Sequence, residues 1–332
     1  MVTQKIYFIA PLACVEPSIT NLNKILEKGF KVVKIESDKF TEFFKDLTHT
    51  TYRDAKNKIN TYNCVYDDTA LNGKEKTLIG SSSHVFYVYN SFLVEVSELD
   101  QYSELANIVD DLLTYYNLYL NPLIKLLRLY SEGNIHIPFF IFYYIDTEGN
   151  ALPLMQNPTL YFETDLQNFK LNDYDIWEFN ELLKNNKISG IKYLKLAFEI
   201  YQTSFDVHKL DLKFLILMNA IEVLFNPSDN FELKYRISRY FAALIGETRE
   251  ESVDYFDAMK TFFDKRSIIV HSGSSRNDPV TVEDVLKLRD HVRKSIIKLS
   301  LIIDPDKKEK DEKKRVEKVL DKAGLGENPF NF

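Results

Sequence analysis

Residues 261–273 read TFFDKRSIIVHSG, and the fold of the second half of the chain turns on how that stretch is placed. Taken with the residues before it, 249–270 carries apolar side chains at helical spacing. Val253, Phe256, Met259, Phe263 and Val270 share one face, with Tyr255 and Phe262 at its edge. Arg266 stands three residues after Phe263 and four before Val270, inside that stripe. A guanidinium there cannot simply face bulk water: it is paired in the core, it snorkels out, or it lines an interface or cleft. His271 comes where HSGSS should end the helix, so its imidazole is expected at a helix terminus, beside Arg266 in space.

Working outward, segments 190–205, 208–225, 230–245 and 281–303 carry the same helical spacing, as does YDIWEFNELLKNN before them. They are separated by the turn and cap residues NKISG, NPSDN, GET and SGSSRNDP. Two helix starts are marked by capping patterns, Thr248 with Glu251 and Thr281 with Asp284. Together they describe a bundle of four or five helices with short connections.

The first half reads differently. KIYFIAPLACV, FKVVKI, HVFYVYNSFLVEVSE and IHIPFFIFYYID are rich in β-branched and aromatic residues and predict strands. TEGN at 147–150 predicts a turn, and NGKEK at 72–76 a hairpin closure. Residues 102–131 form a long helical candidate that Pro122 should kink or split. The expected fold class is therefore α+β: an N-terminal mixed α/β domain at 1–186, an all-α bundle at 187–303, and a charged tail at 304–332. The tail has eight Lys/Arg against seven Asp/Glu between 304 and 322, which reads as a solvated or frayed helix, with nucleic-acid or partner contact through its KKR as the minor alternative.

Bulk properties bound the function. The chain of 332 residues carries a net charge of −7, which argues against nucleic-acid binding through overall charge but leaves room for a local basic site. Its two cysteines, Cys14 and Cys64, form no CxxC or Cys/His cluster, so neither a disulfide framework nor a structural zinc site follows. No cofactor, Walker or dinucleotide pattern is present, and SSSH at 81–84 lacks a nucleophile elbow. The apolar runs FLILMNAIEVLF and IPFFIFYYI are too short or too interrupted to span a bilayer. A cytoplasmic protein without membrane contact is the expectation.

Chemically, an arginine beside a histidine suits phosphodiester cleavage in RNA. A histidine near its ordinary pKa can take the proton from a ribose 2′-OH or give one to the leaving 5′-oxygen. Arginine offers bidentate contact to the phosphate as charge builds on it. Glu222, in the apolar helix with Asp211 and Asn219 on roughly the same side, is expected to partner Arg236, Arg239 or Arg266 in the core, or to orient Arg266. Lys265 and Arg276 flank the motif and could form a local basic patch; Arg236 and Arg239 read as bundle-surface or salt-bridge residues, with RNA contact as the alternative. His208 and His291 read as structural or exposed, and no nucleophile or ligand set surrounds His49, His84 or His136.

The motif RSIIVHSG, following LILMNAIEVLF and ELKYRISRYFAALIG, resembles the HEPN superfamily, most closely its Apea-like branch. The resemblance covers roughly 190–303. It implies a metal-independent endoribonuclease that leaves a cyclic phosphate, with two Arg/His sets meeting in a cleft between paired copies. On it, Arg266 holds the phosphate and His271 acts as general acid or base. Many members place Asn, Asp or His directly after the arginine. Ser267 stands there instead; it can hydrogen-bond but is no second strong acid or base at neutral pH. The implied setting is abortive infection in bacterial antiphage defence, with the first half sensing a phage-derived trigger. Two other readings stay open: a non-catalytic scaffold or RNA-binding module, and a toxin held by a separate antitoxin.

Overall fold

In the computed structural model, strand β1 (Val2–Leu12) is the middle of a five-stranded sheet that runs β2 (Lys31–Glu36), β5 (His84–Val96), β1, β6 (Phe139–Ile145), β7 (Ala151–Pro158). Every neighbouring pair in it is antiparallel. Two short strands, β3 (Thr51–Arg53) and β4 (Ile59–Thr61), pair separately. The structure describes residues 2–27, 29–36, 39, 51–53, 59–61, 84–97, 101–137, 139–158, 168–184, 187–207, 209–225, 232–272, 279–304 and 308–326. The NGKEK hairpin, His49, Cys64, SSSH up to Ser83, His208 and Arg276 lie outside them.

The central strand has a near-continuous apolar run because both its faces are covered. Ile6, Phe8, Ile9 and Ala10 are all at most 2% exposed. On one face Phe8 meets the rings of Phe30, Phe140, Phe142 and Tyr116 at 5.0 to 6.1 Å. On the other, Ile9, Val85, Ile141 and Tyr143 cluster with Tyr7, Tyr87 and Tyr89. The β6–β7 turn is where TEGN placed it: the Asp146 carboxylate accepts the N–H of Glu148 and Asn150 at 2.9 and 2.8 Å, and Gly149 takes a left-handed φ of 89°. Strand β7 itself was not foreseen, because Pro153 and Pro158 break its pattern. At a sheet edge the missing N–H groups cost no ladder bond.

The helical candidate at 102–131 resolves into α1 (Gln101–Tyr115), a π-helical stretch (Tyr116–Leu120) and α2 (Asn121–Tyr130). Pro122 sits in the first turn of α2, directly after the π-helical stretch, so the helical run is split where the proline predicts. At Gly133, φ is 124° and a Cβ would come within 2.6 Å of the Phe169 Cα, so the backbones meet there only because the residue is glycine.

The chain divides into two compact units, Met1–Leu182 and Leu183–Phe332, near the end of α3 (Asp175–Lys184). The second unit contains α4 (Lys192–Thr203), α5 (Leu210–Phe225), α6 (Leu233–Ile245), α7 (Arg249–Ser272), α8 (Val282–Ile302) and α9 (Glu309–Ala323). Helix α5 touches α4, α6, α7 and α8, which is what its nearly all-round apolar sequence requires. Its Phe214, Leu217, Met218 and Ile221 are fully inaccessible, each burial stabilising by roughly 2 kcal/mol. Both capping patterns form. Asp284 N–H donates to Thr281 Oγ1 at 3.1 Å and Thr281 N–H to the Asp284 carboxylate at 2.9 Å. At Thr248 the return bond shifts by one residue, with Glu251 accepting from Glu247 N–H at 2.9 Å.

The charged tail is neither frayed nor simply solvated. Helix α9 packs on α6 with Val316 and Leu320 buried. Glu312 is wholly buried, accepting Asp304 N–H at 2.8 Å and pairing with Arg315. Glu317 pairs with Arg236 at 2.6 Å, and Tyr240 donates to Asp321 at 3.0 Å.

Candidate functional site

Helix α7 does not stop before His271 but continues through Ser272. Five residues on one helix correspond to about 140° around the axis and roughly 7.5 Å along it. Arg266 and His271 therefore leave different sides of α7 rather than standing together as expected. Between them around the axis lie Val270 and Ser267, both exposed, as is His271 itself.

The buried stripe of α7 is rotated from the expected one. Met259, Phe262, Phe263, Lys265 and Ile269 are buried, while Val253 and Val270 are 53% and 55% exposed. Two contact lines cause the rotation, because α7 packs against both α5 and α6. Phe262 meets Phe214 of α5, and Tyr255 and Phe256 meet Phe241 and Tyr235 of α6. Arg266 is left at the edge of the stripe with about a third of its side chain exposed.

Of the three arginines that could partner Glu222, the structure brings Arg266. Its Nε lies 2.9 Å from Oε1, and Nη2 donates to Oε2 at 3.3 Å. Oε1 is buried and receives no well-aligned hydrogen bond. Burial pushes the Glu222 carboxyl above its ordinary value, and the Arg266 charge recovers only part of that shift. The pair holds the guanidinium along its Nε and Nη2 side, and about a third of the Arg266 side chain is exposed. Asn219 is exposed on the same helix and Asp211 half-buried.

The remaining candidates do not assemble around this pair. Lys265 is buried and bonds Asp284 at 2.9 Å, so it is a structural cation rather than an exposed RNA contact. Burial opposes ionisation of Asp284, but Lys265 and Thr281 together hold its carboxyl below the usual range. Arg239 donates to the Asp321 carbonyl at 3.0 Å in the last turn of α9, where a cation complements the helix end. His291 is buried among Phe241, Tyr255 and Phe262, with Nδ1 receiving no hydrogen bond. Burial drives its pKa down to about 4.

Sequence reasoning missed a buried polar set in the first unit. His136 lies between Arg128 Nη2, 2.8 Å from Nδ1, and Asn134 Oδ1, while Arg128 Nε donates to the Ile135 carbonyl at 2.9 Å. Since arginine only donates, Nδ1 accepts and Nε2 carries the proton toward Asn134, which makes this imidazole a neutral, satisfied core residue. No sequence signal joins these residues beyond their proximity.

Among the described residues no group of three or more His, Cys, Asp or Glu is arranged to hold a metal ion, and no helix is long and apolar enough to cross a membrane. No protein-family model matches the chain, and neither a curated protein nor a solved structure is similar to it.

Proposed function

We propose that the helical unit is a HEPN-like, metal-independent endoribonuclease with Arg266 and His271 as its reacting pair. The observation that carries this reading is Arg266 itself. Two of its nitrogens lie against the Glu222 carboxylate while about a third of its side chain is exposed, which suits contact with an anionic ligand. In the reaction, the ribose 2′-oxygen attacks the adjacent phosphorus and the 5′-oxygen leaves, producing a cyclic 2′,3′-phosphate. One imidazole takes the 2′-OH proton and another supplies the proton to the 5′-oxygen, while Arg266 balances the charge gathering on phosphate.

Because one copy's Arg266 and His271 diverge by about 140°, the cleft is assigned to two copies of the chain meeting through α7. Exposed Val270, between the two functional side chains, supplies apolar surface for that contact. The setting is a cytoplasmic antiphage effector causing abortive infection, with the first unit restraining or triggering it, or with a separate antitoxin in that place. The second reading, a non-catalytic RNA-binding scaffold, is favoured by Ser267 and by the same divergence.

Expression of wild type against Arg266→Ala and His271→Ala separates them. Catalysis requires wild type to arrest growth and to cut RNA with EDTA present, and both variants to lose this. Wild type no more toxic than the variants, with uncut RNA, leaves the scaffold. A strict monomer in solution refutes the composite cleft, and relief of toxicity by the first unit alone removes the need for an antitoxin.

A further inference from the structure

Helix α9 divides its charges by sign. Its carboxylates are largely committed: Glu312 to Arg315 and the Asp304 N–H, Glu317 to Arg236, Asp321 to Tyr240. Among its described residues the exposed ones are Lys310, Asp311, Lys314, Lys318 and Lys322. The four lysines follow each other at intervals of four, so they form one ridge with a step of roughly 6 Å along the axis. Lys314 is about 160° around the helix from Val316, so the ridge faces away from the bundle. Among the described residues the side chains of Lys310, Lys314 and Lys318 take part in no ion pair or hydrogen bond. A helix with eight basic and seven acidic residues in its neighbourhood thus presents an almost purely cationic edge, on a chain whose net charge is −7.

We propose that this ridge is a rail for the phosphate backbone of single-stranded RNA, placed one helix away from the reacting residues: α9 packs on α6, and α6 on α7. The inference rests on the ribonuclease reading for the identity of the polyanion, and adds a site outside the cleft. Evenly spaced ammonium groups read charge, not base identity. A membrane surface fits less well. An interfacial helix needs an apolar face to insert, and that of α9 is already buried in the bundle at Val316 and Leu320. Asp311, the one acidic residue among the described exposed positions, lies toward the N-terminal end.

The test uses the full chain carrying His271→Ala, so that RNA stays intact, with and without Lys310→Gln, Lys314→Gln and Lys318→Gln together. Binding of a fluorescent uridine oligomer of about twenty nucleotides is followed between about 50 and 200 mM salt. Loss of three phosphate contacts should make the log–log salt dependence shallower by about 2 and weaken binding roughly tenfold or more at the lower salt. The triple Lys→Arg variant should bind like the parent, and all forms should melt alike because the three side chains are exposed. Unchanged affinity and slope in the Gln variant overturns the rail, as does capture by phosphatidylserine vesicles with no RNA binding. The two ideas fail separately. Cleavage by the His271-containing protein with ridge-independent binding sinks the rail alone; ridge-dependent binding without any cleavage sinks the nuclease alone.

Discussion

His291 offers the sharpest quantitative test of the helical unit's packing. The ring is 8% exposed and walled by three aromatic side chains, and burial lowers its pKa from 6.5 to about 4. The charges that face it work against one another: Asp290 favours the imidazolium, while Lys294 and Lys287 oppose it. Above pH 6.5 the imidazole is neutral in both folded and unfolded chains, and contributes no pH dependence. As pH falls through the unfolded value, the unfolded chain binds a proton that the native ring refuses. Stability then drops by about 1.4 kcal/mol per pH unit. The loss levels off near pH 4, where the native ring also titrates, at a total of about 3 kcal/mol. Urea unfolding followed by circular dichroism at about pH 7, 5.5 and 4.5, with wild type compared to His291→Phe, isolates this term. Carboxylates contribute equally to both proteins, so the difference between them should shift by the stated amount. The native Cε1–H resonance of His291 should stay flat down to about pH 5. A midpoint near 6.5 would refute the buried, unpartnered imidazole and the packing that encloses it.

Three further outcomes follow from the ion pairs and from α9. Arg266→Ala leaves the half-buried Glu222 without its cation, so its carboxyl should titrate still higher; the variant should lose about 1–2 kcal/mol at pH 7, a loss that Glu222→Gln added to it largely restores, by denaturant melts. Lys265→Met should cost about 2–3 kcal/mol at neutral pH. The lowered Asp284 pKa makes the pair's stabilisation fully present above the unfolded carboxylate value and lost as pH falls through the folded one, so wild type and variant should converge in acid, and parallel curves would refute the pairing. Leu320→Ala should destabilise by about 2–4 kcal/mol; a loss under about 0.5 kcal/mol would mean that α9 is the solvated tail its composition suggests.

What the sequence disclosed and what it hid have separate physical causes. The segments at 249–270 and 281–303 came out as α7 and α8 with ends displaced by at most two residues, because spacing and capping are local. The four long strands β1, β2, β5 and β6 were equally legible, but the short pair β3 and β4 was not, nor was β7, whose two prolines are tolerated by a position at the sheet edge. The order of the sheet was not legible, since β1 pairs with strands far along the chain on both sides. At the site, Glu222 and three possible arginine partners were visible, but choosing among them depends on how α5 crosses α7. The difference between Lys265 and Arg266 is subtler still. Neighbouring residues point about 100° apart, and placing Val253 and Val270 in the stripe turned the wheel enough to exchange their roles.

That exchange bears on how the two cations divide between fold and chemistry. Lys265, with its side chain 11% exposed, bonds the Asp284 carboxylate at a capped helix start. Arg266 is three times more exposed at 34%, and its partner takes only one flank of a planar fork that has further donors. A lysine in the second position could satisfy Glu222 but would have little directed capacity left over. Arg266→Lys should therefore keep most of the stability of the Glu222 pair and lose the RNA-directed activity proposed for the unit. If Arg266→Lys retains that activity, the arginine serves only to neutralise Glu222, and the functional assignment must move to other residues of the bundle.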